Sequence, residues 1–222
     1  LCLENEGLKV NLTPCRFGKA LLDKQHLLSH ITVSNVSDDL LLSDSHSIKD
    51  IMNKEFLQNL REQIKAGTVT EQEPMNKHTS FAIGGPADVF VQPATREEIR
   101  SAVYCAKEAG LPFFVMGNGS NLLVSDEGFR GMIIQIGKNF QAISVKDTVI
   151  EVQAGALLSR TARAAWNAGL TGFEFAAGIP GSVGGAVAMN AGAYGGEVKD
   201  VLLDAEVLTQ EGEFLTLTGE EL

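Results

Sequence analysis

The stretch FEFAAGIPGSVGGAVAMNAGAYGGE, residues 173–197, is where the interpretation of the fold begins. It is rich in glycine, but Ala, Val, Ile and Met fill most of its other positions, whereas a disordered linker would be polar. We therefore expect a buried, tightly turning segment in which backbone approaches backbone or a ligand. Ser182 and the pair Gly184-Gly185 could present N–H groups, and Asn190 could present its side-chain amide. A Gly-rich hairpin in a core is the alternative, although a flat, extended ligand explains the missing side chains better.

A second Gly-rich stretch, GNGSN at residues 117–121, follows the apolar run PFFVM at 112–116. Glycine permits positive φ and leaves room for a ligand, and successive N–H groups in such a turn form an anion-binding nest. Position 122 is Leu, so the dinucleotide motif G-x-G-x-x-G is not met, and no Lys completes a Walker loop. A tight turn is the alternative to a phosphate cradle. Together the two stretches favour a large ligand with one anionic part and one flat apolar ring.

Length and composition disfavour several classes of protein. The 222 residues include 18 Lys and Arg against 28 Asp and Glu, a net charge of −10 that disfavours nucleic acid or an anionic membrane as a partner. No apolar run reaches the roughly 18 residues of a membrane span. The cysteines at 2, 15 and 105 are too scattered for a disulfide framework or a zinc site, so we expect a reduced, cytoplasmic chain. His26 and His30 have no further ligand at a metal-binding spacing, so no metal site is predicted.

Hydrophobic periodicity predicts a mixture of helices and strands. Residues 51–66 are expected to form an amphipathic helix, and Thr95 and Glu98 to form a capping box for a helix that continues to Ala109. A third helix is predicted at 156–168. Its apolar face is expected to consist of Leu157, Leu158, Ala162, Ala165 and Trp166. Strands are predicted at 87–92, 112–116, 131–136, 148–153, 201–208 and 213–218. Only one βαβ-like unit is evident, which favours the α+β class over a doubly wound sheet.

Residues with obvious catalytic potential are scarce. His78 and Thr79 could cap an element or contact a ligand, but a lone histidine is more often structural. Ser182, in PGSVG, lacks the flanks of a nucleophile elbow, and no nucleophile–base pair is evident. No catalytic residue is therefore assigned. The chain begins at Leu1 rather than Met and stops within a predicted helix start, so we expect a fragment whose chemistry comes from a cofactor or from residues beyond Leu222.

Three strings together resemble one enzyme family. They are HTSFAIGGPADVFVQP at 78–93, GNGSNLLVSDEGFRGMIIQI at 117–136 and GLTGFEFAAGIPGSVGGAVAMNAGAYGGE at 169–197. Their wording, order and spacing are similar to those of the UDP-N-acetylenolpyruvoylglucosamine reductases, also called UDP-N-acetylmuramate dehydrogenases. The last two strings are specific, and the resemblance covers roughly residues 55–222.

The resemblance implies an FAD-binding fold of the vanillyl-alcohol-oxidase (PCMH) type with two α+β subdomains. It implies that NADPH reduces the flavin, and that UDP-N-acetylglucosamine enolpyruvate is then reduced to UDP-N-acetylmuramate during cytoplasmic peptidoglycan synthesis. Residues 1–50 are expected to be an extension of unassigned role, and 51–76 a helix and lead-in. Residues 77–222 are expected to be the FAD-binding domain, without the family's substrate domain. No oligomeric state is predicted.

The resemblance also implies roles for individual residues. The FAD pyrophosphate would be held by Gly117, Asn118, Gly119, Ser120 and Asn121. The flavin would be lined by Ile179, Pro180, Gly181, Ser182, Gly184 and Gly185. Asn190 and Gly192 are expected near the flavin, and Tyr194 near the substrate.

The family's catalytic Arg, Ser and Glu are expected beyond Leu222, so Ser182 is not assigned as the acid. The chain is therefore expected to bind FAD without completing the reaction. The alternatives are another oxidase of the same flavin fold and a non-catalytic flavin- or nucleotide-binding module.

Overall fold

The computed structural model of the chain describes residues 8–11, 13–14, 54–218 and 221, so the predictions for Cys2, Cys15, His26 and His30 lie outside the described residues. The described residues form two compact units. The first unit comprises residues 54–139 and 208–214. The second unit comprises residues 8–11, 13–14, 140–207, 215–218 and 221.

Strands and helices alternate irregularly along the described residues. The strands are β1 (Leu8–Asn11), β2 (Thr13–Pro14), β3 (Thr68–Pro74), β4 (Pro86–Gln92), β5 (Phe113–Met116), β6 (Phe129–Gln135), β7 (Ile143–Lys146), β8 (Val149–Val152), β9 (Leu170–Thr171), β10 (Gly192–Ala193), β11 (Gly196–Glu197), β12 (Leu202–Leu208) and β13 (Phe214–Thr218). The α-helices are α1 (Lys54–Gln63), α2 (Arg96–Glu108), α3 (Leu158–Asn167) and α4 (Val183–Ala188). Short 3-10 helices span Met75–Lys77, Glu174–Gly178 and Val198–Asp200.

The first unit is built on a four-stranded sheet in the order β3-β4-β6-β5. β3 and β4 are antiparallel, whereas β4 and β5 both run parallel to β6. β4 is buried continuously from Ala87 to Val91, the pattern of a strand that is covered on both faces. Phe90, Met116 and Ile133 pack into one apolar cluster of this unit. That packing fixes the end of β5, directly ahead of Gly117.

Helix α2 begins at the predicted N-cap but is capped differently from the predicted box. The Thr95 hydroxyl accepts a hydrogen bond from the Glu98 N–H at 3.2 Å, as predicted. The Glu98 carboxylate does not return this bond to Thr95. It accepts instead from the backbone N–H groups of Ala66 at 2.6 Å and Ala94 at 2.8 Å. Glu98 thereby ties the segment after α1 to the start of α2.

The second unit is built on a five-stranded sheet in the order β13-β12-β1-β8-β7. β1 pairs antiparallel with both β12 and β8. β7 and β8 form an antiparallel hairpin whose turn holds Asp147 at a φ of +54°. The sequence predicts β8 and β12 but not β7, because the alternation in β7 is short and its side chains are mostly exposed. Ile150 and Val152 of β8 contribute fully buried side chains to the core of this unit.

Helix α3 corrects one sequence-based prediction. Leu158, Thr161 and Ala165 form its buried face. Trp166, predicted to belong to that face, is 69% exposed, and the Arg163 guanidinium lies 5.2 Å from its ring centre. The helix spans Leu158–Asn167 rather than 156–168, and it packs on the 3-10 helix Glu174–Gly178. The prediction relied on the hydrophobicity of tryptophan alone and was wrong. Neighbouring residues of a helix point to different sides, so Ala165 is buried while Trp166 is exposed.

Most other predicted elements are present with shifted ends. The helix predicted at 51–66 is observed as Lys54–Gln63, and residues 51–53 lie outside the described part of the chain. The strand predicted at 131–136 begins earlier, at Phe129, and the strand at 112–116 is half-buried rather than buried except at Met116. The mixed sheets agree with the predicted α+β class. No helix of the described residues is long and apolar enough to cross a membrane.

Candidate functional site

The predicted nest lies at the end of a parallel strand in the first unit. β5 ends at Met116, whose carbonyl accepts a hydrogen bond from the Ile136 N–H at 2.8 Å. The Gly117 carbonyl accepts a bond of 3.2 Å from the side-chain amide of Gln135. Both contacts come from β6 or the residue after it, so the first residue of the nest is held by the sheet. A ligand beyond the carboxyl end of a parallel strand is a common arrangement in sheets of this kind.

Gly119 is the residue that requires glycine in this turn. Its φ is +64°, in the left-handed region that favours glycine. A Cβ added at Gly119 would collide with the carbonyl oxygen of His78 and lie 3.0 Å from the Met116 methyl group. The Ser80 N–H donates to the Gly119 carbonyl at 3.0 Å. The segment from His78 to Ser80 therefore forms a backbone wall against the nest.

The backbone N–H groups of the nest are suited to an anionic ligand. Among the described residues, those of Asn118, Gly119 and Asn121 have no backbone acceptor. Asn118 and Asn121 are exposed, whereas Gly119 is buried. No Lys or Arg occurs in 117–121, so an anion would be bound by backbone dipoles rather than by a charged side chain. These features fit the diphosphate of a dinucleotide.

His78, which the sequence leaves between a structural and a ligand-contacting role, is bonded to Glu73. Its Nε2 lies 3.0 Å from Glu73 Oε1, and its ring centre lies 4.2 Å from that of Phe90. The hydrogen bond from His78 is the main cause that lowers the pKa of Glu73 from 4.5; burial opposes it, and Lys77 adds to it. Sequence reasoning missed Glu73. Its five-residue separation from His78, across a short 3-10 helix, matches no recognised motif.

The second Gly-rich segment lies in the second unit and contains a short helix that the sequence does not predict. Ser182 caps α4: its hydroxyl accepts from the Gly185 N–H at 3.4 Å, and the residue is 3% exposed. The Gly184 N–H donates to the Ala154 carbonyl at 2.8 Å. The idea that Gly184 and Gly185 present free N–H groups to a ligand is therefore wrong. Gly185 is exposed, whereas Gly184 packs against Ala154, whose Cβ a side chain at position 184 would approach to 2.8 Å.

The burial of this segment is also uneven. Phe173, Phe175 and Val183 belong to the core of the second unit, so the prediction of a buried segment holds for them. Gly178, Pro180 and Gly185 are exposed and Ile179 and Gly181 partly so, and the uncharged surface of these five residues carries only the side chains of Ile179 and Pro180. Such a surface fits a flat apolar ring.

The residues predicted near the flavin and substrate lie in and before a hairpin. β10 and β11 pair through Gly192 with Glu197 and Ala193 with Gly196, so Tyr194 is in the turn. Tyr194 has a φ of +54° and is 68% exposed. The predicted use of the Asn190 amide as a free donor is not seen, because Asn190 Nδ2 donates to Glu197 Oε2 at 2.9 Å. Asn190 Oδ1 accepts from the Lys199 N–H at 3.0 Å, so this residue braces the hairpin.

Metal chemistry has no evident site in the described part of the chain, where no group of three or more His, Cys, Asp or Glu side chains could hold an ion. Of the three cysteines, Cys105 lies in the described part of the chain. It is buried, and burial raises the pKa of its thiol.

Comparisons with known proteins show which family the chain resembles. The model of the FAD binding domain family matches residues 87–218, more than half of the chain. The UDP-N-acetylenolpyruvoylglucosamine reductase of Agathobacter rectalis is 49% identical over 183 residues, which is 77% of this chain and 58% of the relative. That of Alkaliphilus metalliredigens is 55% identical over 151 residues, 68% of this chain and 50% of the relative. The chain thus spans about half the length of the curated relatives it matches.

A solved structure gives the same result. The crystal structure of UDP-N-acetylenolpyruvylglucosamine reductase from Thermus caldophilus is 39% identical, with a TM-score of 0.60, over 70% of this chain and 53% of that one. The resemblance inferred from the three sequence strings and the predicted fold class are both confirmed, and the family's cofactor is FAD. This chain belongs to the FAD binding domain family, in the form found in the UDP-N-acetylenolpyruvoylglucosamine reductases.

Proposed function

We propose that this chain is the FAD-binding part of an enzyme that reduces UDP-N-acetylglucosamine enolpyruvate to UDP-N-acetylmuramate for peptidoglycan synthesis, with NADPH as the hydride donor. The observation that carries the proposal is the nest at 117–121, whose backbone N–H groups and lack of charged side chains suit a dinucleotide diphosphate. Identities of 49% and 55% with reductases of this name support the choice of reaction.

In this proposal the two Gly-rich segments bind different parts of FAD. The pyrophosphate lies on the nest, where the N–H groups of Asn118, Gly119 and Asn121 donate to its oxygens. The flavin ring would lie on the surface from Ile179 to Gly185, which carries no charge and in which Ser182 and Val183 are buried. When bound, FAD would accept a hydride from NADPH and deliver it to the enolpyruvyl double bond.

The residues around the hairpin have supporting roles in the proposal. Asn190 braces the turn through Glu197 and Lys199. Gly192 is exposed, and a Cβ there would meet Glu197 and Gly196 of the same hairpin, so we assign its backbone a place near the flavin. Tyr194 projects from the turn with most of its surface exposed, so we assign it a contact with the UDP-sugar. We place the reaction in the cytoplasm, where NADPH and nucleotide-activated sugars occur together.

Ser182 is not the proton donor in this proposal. Its hydroxyl caps α4 and is almost entirely buried, so it cannot reach a substrate carbon. None of the residues assigned in this proposal protonates the substrate. We therefore expect no UDP-N-acetylmuramate from the chain alone with NADPH, FAD and the enolpyruvyl sugar.

The test is a titration of the purified chain with FAD, followed by flavin fluorescence and by thermal unfolding. Saturable binding should raise the melting temperature, because a ligand that binds only the folded state stabilises it. ADP should compete with FAD, since it carries the same diphosphate. A chain that unfolds cooperatively but binds neither compound would contradict the proposal.

A further inference from the structure

We infer that Glu73 and His78 act as a pair of positioning residues that hold the diphosphate nest in its binding geometry. The inference rests on the proposed function, since it deepens the role of the same nest. The sequence leaves His78 between a structural and a ligand-contacting role, and it gives Glu73 no role at all. The basis of the inference is a continuous set of contacts within the first unit, from a carboxylate on β3 to the backbone of Gly119.

The contact nearest the nest is between two backbones. The His78 carbonyl lies so close to Gly119 that not even a methyl group would fit between them. Two residues further, the Ser80 N–H donates to the Gly119 carbonyl at 3.0 Å. A shift of the backbone at His78 would therefore move Gly119 or leave a gap beside it. Either change would alter the directions of the N–H groups that converge on the diphosphate.

The side chain of His78 holds that backbone, together with the His78 N–H, which donates to the Met75 carbonyl at 2.9 Å. Its ring is packed against Phe90 on β4, with centres 4.2 Å apart and planes at 35°, and Phe90 is 2% exposed. Its Nε2 is 3.0 Å from Glu73 Oε1, with side-chain exposures of 17% for His78 and 18% for Glu73. The imidazole is thus held both by the sheet core and by a carboxylate at the end of β3.

The polarity of the hydrogen bond follows from the charge on Glu73. The bond from His78 is the largest influence that lowers the pKa of Glu73, so the carboxyl is ionised near neutral pH. An ionised carboxylate only accepts hydrogen bonds, so His78 Nε2 must be the donor. Bonds to an ionised acceptor are stronger than neutral ones, and a partly buried site screens them less.

Lys77 provides a natural comparison within the same cluster. Its ammonium lies 3.4 Å from the same Glu73 oxygen, but its side chain is 62% exposed. In the described structure its side chain contacts no part of the nest. A substitution at Lys77 therefore tests whether any hydrogen-bond donor to Glu73 is enough to hold the nest. The alternative is that His78 is required, because its carbonyl forms the wall of the nest.

The primary experiment measures FAD affinity of the full chain with His78→Ala. We expect the dissociation constant to rise by about tenfold or more, a change that corresponds to about 1.4 kcal/mol of binding free energy. Lys77→Ala should stay within about twofold of the unsubstituted chain, as expected of an exposed position. Equal affinity for FAD in the His78→Ala and unsubstituted chains would overturn the inference.

A loss of affinity could also follow from general destabilisation, so a second comparison separates the two causes. Ile99→Val removes one methylene from a fully buried position on α2, away from the nest contacts described here. It should lower the melting temperature without the loss of FAD affinity. If His78→Ala and Ile99→Val weaken FAD binding in proportion to their melting temperatures, the role of His78 is only structural and the inference fails.

Variants of Glu73 give an independent test of the inference, which can also be used if the His78→Ala chain does not fold. Glu73→Ala removes the acceptor, whereas Glu73→Gln keeps an amide oxygen that can accept from His78. FAD affinity should fall in the first variant and recover most of the way in the second. Removing both Glu73 and His78 should cost less than the sum of the single changes, since they act through one contact. Additive losses would contradict the pairing, whereas a failure of the unsubstituted chain to bind FAD would contradict the proposed function instead.

Discussion

The carbonyl oxygen of His78 abuts Gly119 so closely that a β-carbon at position 119 would overlap it. The two residues are 41 positions apart in the sequence, and their contact closes one side of the turn that follows β5. Position 119 requires glycine because the protein's own backbone at His78 occupies the space of a β-carbon. Side-chain bulk at 119 would therefore act first by displacing the wall at His78, not by filling the space of a ligand.

We expect Gly119→Ala to abolish FAD binding and to destabilise the fold. The left-handed φ of +64° costs a non-glycine residue about 1–2 kcal/mol. The collision with His78 adds about 1–3 kcal/mol, the usual cost of overpacking. FAD titration and urea unfolding of the variant measure the two effects.

Gly110 supplies the matched control. Its φ is +63°, almost the same as that of Gly119, but a β-carbon there would meet nothing within 4 Å. Gly110→Ala should therefore cost only the backbone strain, about 1–2 kcal/mol, and should leave FAD affinity unchanged. If both alanine variants bind FAD equally well, the contact with His78 does not shape the nest.

Ser182→Ala should reveal a structural cap. Loss of the bond between the Ser182 hydroxyl and the Gly185 N–H should lower the free energy of unfolding by about 1 kcal/mol. Ser159→Ala, at an exposed position early in α3, should change it by less than about 0.5 kcal/mol. Urea denaturation of both variants tests this, and equal stabilities would mean that the Ser182 hydroxyl does not cap α4.

The features that the sequence predicts correctly are those with a local cause. Pro93 ends β4, the Thr95 hydroxyl caps α2, and the alternation in 201–208 marks β12, because each signal acts within a few residues of the chain. The GNGSN turn is predictable for the same reason, since Gly119 tolerates the left-handed φ that the turn requires.

What the sequence does not predict depends on contacts between distant segments or on weak local signals. The Glu98 carboxylate accepts a hydrogen bond from the Ala66 N–H, 32 residues away, instead of completing its own capping box. Helix α4 is built largely from glycine, alanine and valine, a composition of low average helix propensity, and it forms because Ser182 caps it and Val183 packs in the core. The wall at His78 is likewise a tertiary contact that no motif describes.

Trp166 offers a spectroscopic test of the corrected helix face. It is the single tryptophan of the chain and is 69% exposed, so its fluorescence should show the emission of a hydrated indole and be quenched readily by acrylamide in the folded state. Trp166→Ala should change the free energy of unfolding by less than about 0.5 kcal/mol. Leu158→Ala on the buried face should cost about 2–5 kcal/mol. A blue-shifted, protected tryptophan would show that this face of α3 is buried.

Glu98 should make the stability of the chain depend on pH in the acid range. Burial of its carboxyl raises the pKa, but the backbone N–H groups of Ala94, Ala66, Gly67 and Lys65 stabilise the ionised form, and the net pKa lies below the ordinary 4.5. A carboxyl whose pKa is lower in the folded state binds fewer protons there than in the unfolded chain. Its contribution to stability is therefore complete above pH 4.5 and is lost as the pH falls through the folded-state pKa.

Comparison of two neighbouring variants isolates this contribution. Glu98→Gln should lower the free energy of unfolding at pH 7 and make it less dependent on pH below 4.5 than in the unsubstituted chain. Glu97→Gln removes a charge from the same first turn of α2, at an exposed position, and should leave the slope almost unchanged. Urea unfolding from pH 7 down through the carboxyl range measures both slopes. Equal slopes in the two variants would mean that the backbone hydrogen bonds to Glu98 are not the origin of its stabilised charge.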